Sequence, residues 1–331
     1  MPDTSRRELL RRTGLAGVAG LLGMPSRAAA EPPPETTRVR LPRYPFDVAC
    51  TAPQWVAEEL LRAEGFQSVE YVESPLATAV VGKGELDFAV ADAPGLILRM
   101  DAGDAILALA GVHGGCYELF GTVRIRAVRD LQGKTVAVAN AARRAFVATI
   151  ASYVGLDPAK DIHFVSAKPA EGIELLAQGK IDALLGFPPE PQELRARKIG
   201  HVVVDTKTDR PWAQYFCCLL AGNRDFVRKH PVATKRVVRA ILKATSICAA
   251  EPDRVAGMIA DRGFVKQREF ARQALREIPY NRWREYDSAD SIRFYALRMH
   301  ESGAIKLSPQ RLIAQGTEWR FVNELRTELK G

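Results

Sequence analysis

Several features that mark nucleic-acid-binding proteins and common enzyme classes are missing from this sequence. Its 331 residues carry a formal net charge of +8 at pH 7, yet no run of five or more like charges appears. There is also no glycine-rich phosphate loop, no nucleophile elbow and no C-x-x-C metal spacing. The histidines are scattered and form no recognisable acid and base set. Nucleic acid is therefore not expected as a partner, and the protein is not expected to be an enzyme.

Cysteine is also scarce, and the odd number of cysteines leaves at least one thiol without an intramolecular partner. The five are Cys50, Cys116, Cys217, Cys218 and Cys248. The adjacent pair Cys217 and Cys218 would point to opposite faces of a strand, so burial as apolar thiols is favoured over a strained disulfide, although their redox state stays open. His113 and Cys116 are metal-ligand types, but two ligands three residues apart do not make a site. No metal and no cofactor are expected.

The apolar run near the amino terminus is too short to cross a bilayer. Residues 13–24 form a run of 12 residues, whereas a spanning helix takes about 20. The run follows two arginine pairs and precedes the small residues that end at Ala30, so residues 1–30 are interpreted as an export signal cleaved near Ala30. The paired arginines resemble a twin-arginine signal, and a general secretory signal is the alternative. The mature protein is expected in the periplasm.

One sequence pattern occurs twice, 95 residues apart. Residues 84–94 read GELDFAVADAP and residues 179–189 read GKIDALLGFPP, so that Asp87 and Asp182, and Pro94 and Pro189, hold equal offsets. Each copy is interpreted as the tail of a β-α-β unit, in which the glycine ends a helix, the aspartate begins a strand and the proline follows that strand. Two similar α/β lobes explain the repeat.

The predicted elements alternate between strand and helix in both halves, which implies parallel sheets and an α/β fold. From residue 225 the pattern is mostly helical, with Pro231, Pro252 and Pro309 at helix starts and a break at residues 303–306. The predicted strands are residues 38–41, 68–73, 87–91, 135–139, 162–166 and 182–186, and the predicted helices are residues 52–63, 75–81, 143–154 and 169–177.

Several stretches, taken in order, resemble the nitrate/sulfonate/taurine-type solute-binding proteins of ABC transporters, a group that includes pyrimidine-precursor binding proteins. They are the export signal, GELDFAVADAP, DLQGKTVAV, GLDPAKDI, GKIDALLGFPPEP and NRDFVRKHPVATKRVVRAILKA. The resemblance implies a type II periplasmic binding protein with two lobes and hinge strands near residues 117–124 and 215–221. Its expected divisions are residues 1–30 for the signal, 31–116 for the first part of lobe 1, 117–219 for lobe 2, and 220–331 for the return to lobe 1.

The expected role is a monomeric periplasmic component that delivers a small solute to an inner-membrane ABC permease and its ATPase. The solute is expected to be organic and anionic, of the sulfonate or carboxylate kind, or pyrimidine-like. A periplasmic sensing partner is one alternative. A pyrimidine-synthase-like enzyme is another, although the CCCFG stretch of the fungal synthases is absent from this sequence.

Ligands of open parallel sheets bind outside the carboxyl ends of the strands, so the first-lobe candidates come from those loops. Thr51, Gln54 and Trp55 lie between the first predicted strand and its helix, and Trp55 is interpreted equally well as a core residue. Ser74 follows the second strand, where capping the next helix is the favoured role. Asp92 follows the third strand.

The stretch from His113 to Glu118 is the predicted first crossing between lobes. His113, Cys116 and Tyr117 are candidate ligand contacts there, and a purely structural hinge is the alternative. Gly114 and Gly115 lie between them, and two glycines allow another group to approach the backbone closely.

The second-lobe candidates differ in the ligand charge that they favour. Asn140 and Arg143 lie at the start of a predicted helix. The positive end of the helix dipole and the bidentate guanidinium of Arg143 suit a carboxylate or sulfonate. The alternative is that Arg143 is solvated on the helix surface. Phe187 follows the strand of the second repeat. Glu190 and Asp205 are interpreted as strand ends on the cleft side that suit an amine.

Overall fold

The structure is a computed structural model that describes residues 31–329. The compact unit considered below begins at Pro34, and residues 31–33 contain no helix or strand. The predicted export signal, residues 1–30, lies outside the described residues. Within residues 31–329, no helix combines the length and the apolar character needed to cross a membrane.

The first part of the chain alternates strands and helices as predicted, and it ends with a helix and a strand that were not predicted from the sequence. Its elements are β1 (Arg38–Arg43), α1 (Pro53–Ala63), β2 (Ser68–Glu73), α2 (Ala77–Gly82), β3 (Phe88–Asp92), α3 (Ala93–Asp101) and β4 (Ile106–His113). The unassigned strand is β4. All eight of its residues are buried, so its sequence ILALAGVH lacks the alternation that marks a half-exposed strand.

The middle of the chain repeats the alternation. Its elements are β5 (Glu118–Gly121), β6 (Lys134–Val138), α4 (Ala141–Tyr153), α5 (Pro158–Asp161), β7 (Ile162–Ser166), α6 (Pro169–Ala177), β8 (Ala183–Gly186), α7 (Glu190–Ala196) and β9 (His201–Asp205). Glu190 was predicted to end a strand, and this is wrong: it is the first residue of α7, because Pro188 and Pro189 extend the loop after β8.

The last third is one strand followed by helices. Its elements are β10 (Cys218–Asn223), α8 (Arg224–Lys229), α9 (Pro231–Ala250), α10 (Pro252–Asp261), α11 (Arg268–Glu277), α12 (Ser288–Glu301), α13 (Pro309–Gly316) and α14 (Arg320–Glu328). As predicted, Pro231, Pro252 and Pro309 begin helices, where proline's missing N–H costs no hydrogen bond.

The two sheets have the same strand plan. In the second lobe the order is β7-β6-β8-β5-β9, with β6 parallel to β7 and β8, and β5 antiparallel to β8 and β9. In the first lobe β10 lies between β3 and β4 and is antiparallel to both, while β1 and β2 form a parallel pair. This pair lies beside β3, since the Asp87 N–H donates to the Arg40 carbonyl at 3.1 Å.

The repeated aspartates have equivalent roles in the two sheets. The Asp87 carboxylate accepts a hydrogen bond from the Arg40 N–H of β1 at 2.7 Å, and the Asp182 carboxylate accepts one from the Thr135 N–H of β6 at 3.0 Å. Each aspartate also pairs with an arginine, Arg40 at 2.5 Å and Arg124 at 2.9 Å. Both copies therefore fasten a strand to its neighbour, which confirms the interpretation of the repeat as two β-α-β tails.

The chain passes between the sheets twice, at residues 114–117 and 206–217. The two passages touch, because the Thr206 N–H donates to the Tyr117 carbonyl at 3.0 Å. The second passage also contacts the end of β4, where the Cys217 N–H donates to the His113 carbonyl at 3.0 Å. Gly115 makes this approach possible, because a Cβ on it would lie 1.8 Å from the Thr206 carbonyl oxygen. This contact explains why a glycine is needed at position 115.

Candidate functional site

A cleft of about 630 Å³ opens between the two lobes. Its walls are the loops at the carboxyl ends of β1, β2 and β3 on one side, and the start of α4 with the loop after β8 on the other. This is the position that open α/β sheets give their ligands. The lining residues are Tyr44, Phe46, Val48, Thr51, residues 75–79, residues 90–92, Gly95, Leu98, Arg99, Tyr117, residues 139–143 and Phe187.

Half of the candidate ligand contacts line this cleft. They come from both lobes and from the first crossing, and they are Thr51, Asp92, Tyr117, Asn140, Arg143 and Phe187. The structure therefore brings together residues that are up to 136 positions apart in sequence.

Three first-lobe candidates have structural partners and do not line the cleft. The Gln54 side-chain oxygen accepts the Val90 N–H at 3.0 Å, which ties α1 to β3. The Trp55 indole is fully buried, stacks on Phe264 and donates to the Pro42 carbonyl at 3.1 Å. The Ser74 hydroxyl accepts the Leu76 N–H at 3.1 Å just before α2.

Arg143 is buried at the cleft wall, and both of its terminal nitrogens donate hydrogen bonds to the Glu190 carboxylate. Nη1 lies 2.6 Å from Oε2 and Nη2 lies 2.8 Å from Oε1, and Nη1 also donates to the Leu185 carbonyl. Burial lowers the pKa of the Arg143 guanidinium, but the Glu190 carboxylate raises it by more, so that the pKa lies above its usual value. Glu190 thus lies behind Arg143 and does not line the cleft. The pair brings no net charge to the wall.

Two helices begin at the cleft, one from each lobe. Asp92 caps α3 by accepting the Gly95 N–H at 2.8 Å, and Asn140 caps α4 by accepting the Arg143 N–H at 2.9 Å. The helix starts are close, since a Cβ on Gly95 would lie 3.1 Å from the Ala142 Cβ. Burial raises the pKa of Asp92 to about 6. The N–H groups of Ala141 and Ala142, at the start of α4, have no acceptor within their own helix, so they are available to a ligand.

Aromatic rings form much of the remaining wall. Tyr117 packs on Phe187 at 5.0 Å and on Phe146 at 4.6 Å between ring centroids. On the opposite side, Tyr44 and Phe46 follow β1, and their rings are 5.8 Å apart. These two residues were not predicted as ligand contacts, although two aromatic residues within five positions of the end of a predicted strand are a detectable signal.

Polar contacts also join the two lobes directly. Arg195 of α7 in the second lobe binds Glu277 of α11 through both carboxylate oxygens, at 2.6 and 2.7 Å. Gln192 donates to the same carboxylate at 2.9 Å. The Ala49 N–H donates to the Pro188 carbonyl at 3.1 Å. We call the Arg195–Glu277 pair the interlobe ion pair.

His113 and Cys116 do not line the cleft and are buried beneath it. There they meet Cys50 from the turn after β1 and Cys218 from the start of β10. Cys217 adjoins the group, with its sulfur 3.1 Å from that of Cys116. All five cysteines of the chain are buried free thiols. His113 and Cys116 alone were not expected to form a metal site, because two ligands are too few, and the fold brings two further ligand types beside them.

Comparison with known proteins tests the resemblance noted in the sequence. A profile described as NMT1/THI5 like matches residues 65–255, which is more than half of the chain. The chain belongs to the NMT1/THI5-like family. This match confirms the family prediction.

Similar solved structures identify the fold of this NMT1/THI5-like protein. The alkanesulfonate-binding protein SsuA from Xanthomonas axonopodis pv. citri, bound to MOPS, has a TM-score of 0.68 at 15% identity, over 88% of this chain and 100% of that one. The periplasmic nitrate-binding protein NrtA from Synechocystis has a TM-score of 0.67 at 15% identity, over 90% of each chain. The predicted two-lobe periplasmic binding protein fold is confirmed.

Curated relatives of known binding activity match a shorter stretch. The bicarbonate-binding protein CmpA from Synechococcus elongatus is 29% identical over 112 residues, or 33% of this chain. That stretch is 24% of the length of CmpA, so the similarity spans about a quarter of the curated relative.

Proposed function

We propose that this protein is the periplasmic solute-binding component of an ABC importer. The observation that carries the proposal is the cleft, which is lined from both lobes and has a volume in the range of about 300–1,000 Å³ typical of small-molecule sites. The family and the fold support it, since the similar proteins include sulfonate-, nitrate- and bicarbonate-binding proteins.

The lining favours an organic solute over a small inorganic anion. Tyr44, Phe46, Tyr117 and Phe187 offer aromatic surface, while the fork of Arg143, the expected anion contact, is occupied by Glu190. The remaining feature that suits negative charge is the start of α4 at Ala141 and Ala142. We therefore assign a solute with an aromatic or apolar body and one anionic or hydrogen-bond-accepting end, such as an organic sulfonate, a carboxylate or a pyrimidine derivative.

Binding, and not catalysis, suits the groups in the cleft. Asp92 is engaged as a helix cap, Arg143 is paired with Glu190, and Arg99 is paired with Asp104 at 2.6 Å. No nucleophile and base lie within hydrogen-bonding distance of each other among the lining residues that the structure describes. We assign no reaction to the site.

Delivery follows from a shift between open and closed lobes. A solute that touches both Phe187 and the loop after β1 binds the closed form better than the open form, and this difference in affinity drives closure. The closed monomer then docks on an inner-membrane permease that is powered by a cytoplasmic ATPase.

A thermal-shift screen of residues 31–331 tests the proposal. The panel holds organic sulfonates, carboxylates, aminopyrimidines, nitrate and amines. A ligand at a hundredfold over its Kd adds roughly 2.7 kcal/mol, which raises the melting temperature of a protein of this size by at least about 2 °C. We expect hits among the aromatic or apolar anions and pyrimidines.

Matched variants tie a hit to the cleft. Tyr117→Ala and Phe187→Ala should abolish the shift, whereas Tyr153→Ala, an aromatic residue outside the lining, should keep it. A hit that survives both cleft substitutions would refute the cleft as the binding site, and a shift with nitrate alone would refute the assigned solute class.

A further inference from the structure

A group of sulfur and imidazole ligands lies beneath the hinge, independent of any solute in the cleft. The sulfurs of Cys50, Cys116 and Cys218 and a ring nitrogen of His113 all lie within 4.8 Å of one another. Each of the four residues is at most 1% exposed. Three thiols and one imidazole are the ligand set of a Cys₃His zinc site.

The four ligands come from three separate segments of the chain that the fold brings to one point. Cys50 lies in the buried turn Ala49–Thr51 after β1, His113 ends β4, Cys116 lies in the first crossing and Cys218 begins β10. His113 and Cys218 are cross-strand partners in the first-lobe sheet. Backbone pairing therefore positions the group, and no single flexible loop carries it.

The orientation of His113 supplies an independent indication of a ligand. Its Nδ1 lies 2.7 Å from the Gly114 carbonyl, so a neutral ring donates from Nδ1 and keeps a lone pair on Nε2. Nε2 is buried and has no hydrogen-bond partner among residues 31–329. A histidine whose one nitrogen donates to a carbonyl while the other is free to coordinate is the usual arrangement of metal-bound imidazoles.

The dimensions suit a tetrahedral ion after a small contraction. With Zn–S bonds of about 2.3 Å, sulfur atoms in a tetrahedral site lie about 3.8 Å apart, so pairs within 4.8 Å must close by at most about 1 Å. Cys217 lies next to the site, with its sulfur 3.1 Å from Cys116, where its S–H can donate to the Cys116 thiolate.

We propose that Cys50, His113, Cys116 and Cys218 bind a structural zinc ion that fastens the first crossing to β4, β10 and the turn after β1. Binding converts three thiols to thiolates and releases three protons, with no change of oxidation state. Four protein ligands leave no open coordination position, so the ion stabilises the hinge and takes no part in chemistry.

The test measures zinc directly on residues 31–331 made without a histidine tag. The protein is unfolded with chelator and reductant, refolded with one equivalent of Zn²⁺, desalted and analysed for metal by mass spectrometry. We expect about one zinc per chain in the wild type and less than about a fifth of that in Cys50→Ser and Cys116→Ser. Cys248→Ser is the matched control, since Cys248 is equally buried but lies on α9 outside the group. It should keep the full stoichiometry.

Two further measurements test the proposal even if Cys50→Ser or Cys116→Ser fails to fold. Co²⁺ in place of zinc should give thiolate charge-transfer absorption in the wild type, which reports the ligands directly. Cys217→Ser should still bind one zinc, because Cys217 is not a ligand. A wild type that retains no zinc overturns the proposal. A second result would also overturn the proposal. This result is a Cys116–Cys217 disulfide that forms in air-exposed protein even when zinc is present. Thiol counting detects it, and Cys217→Ser should lack it.

Discussion

The Glu190 carboxylate holds the Arg143 guanidinium from behind, with both pairs of terminal atoms 2.6–2.8 Å apart and both side chains less than a tenth exposed. Removing one charge of such a buried pair leaves the other without compensation. The wall of the cleft therefore depends on Glu190 although Glu190 does not reach it.

We predict that Glu190→Gln lowers the free energy of unfolding by about 3 kcal/mol, as expected for a buried charge that loses its partner. Urea unfolding followed by circular dichroism measures this. Glu193→Gln is the control on the same helix, because Glu193 pairs with the exposed Arg197 and should change stability by about 0.5 kcal/mol or less. Equal losses of unfolding free energy in the two variants would show that the buried Arg143–Glu190 pair contributes no more to stability than the exposed Arg197–Glu193 pair.

The glycine pair of the first crossing should differ sharply in tolerance to substitution. A Cβ on Gly115 would lie 1.8 Å from the Thr206 carbonyl oxygen, a backbone atom that cannot move alone, so Gly115→Ala should cost about 3 kcal/mol or more. A Cβ on Gly114 would lie 3.0 Å from the side chains of Pro279 and Tyr286, which can shift, so Gly114→Ala should cost about 1 kcal/mol. Thermal unfolding of the two variants ranks them, and the reverse order would contradict the close approach of the passages.

The repeated aspartates should contribute unequally despite their equivalent positions. Asp87 is nearly fully buried and its arginine is 27% exposed, whereas the arginine that pairs with Asp182 is 62% exposed. We expect Asp87→Ala to cost about 3 kcal/mol and Asp182→Ala about 1–2 kcal/mol, because the second site is better solvated. Chemical denaturation of each variant gives the comparison. A larger loss for Asp182→Ala would contradict this reasoning.

The interlobe ion pair should favour the closed state. Glu277→Gln removes its charge, and since both partners are about one-third exposed we expect a loss of about 1 kcal/mol, or about a fivefold weaker affinity for a cleft ligand. Calorimetric titration measures the affinity, and small-angle scattering should show a larger radius of gyration without ligand. Glu269→Gln is the control, because Glu269 pairs with Arg272 within α11. If both variants bind as the wild type does, the ion pair does not bias closure.

Much of the fold was predictable because local signals agreed with each other. The strand at residues 162–166 and the helix at residues 169–177 match their predicted bounds, and the two aspartate repeats marked the tails of both units. The strand β4 was not predicted, since a strand buried on both faces has no alternating pattern.

The site was predicted less completely because side-chain pairing over long sequence separations leaves no local signal. Sequence position placed Arg143 at a helix start, but nothing in the chain indicated that Glu190, 47 residues later, would occupy its fork. Likewise Cys50 and Cys218 are 168 residues apart and meet only because β1 and β10 belong to one lobe. Sequence position identified residues at strand ends that line the cleft, such as Asp92 and Phe187, but it did not identify which side chains pair with each other there.

The position of β10 between β3 and β4 determines which lobe has all of its strands synthesised first. β3 and β4 are not neighbours in the sheet, so the first lobe lacks the strand that joins them until residues 218–223 have been synthesised. All five strands of the second lobe lie within residues 118–205 and are complete earlier. The lobe that is translated in the middle can therefore fold first, while β3 and β4 wait for their shared neighbour β10, which is made more than a hundred residues later.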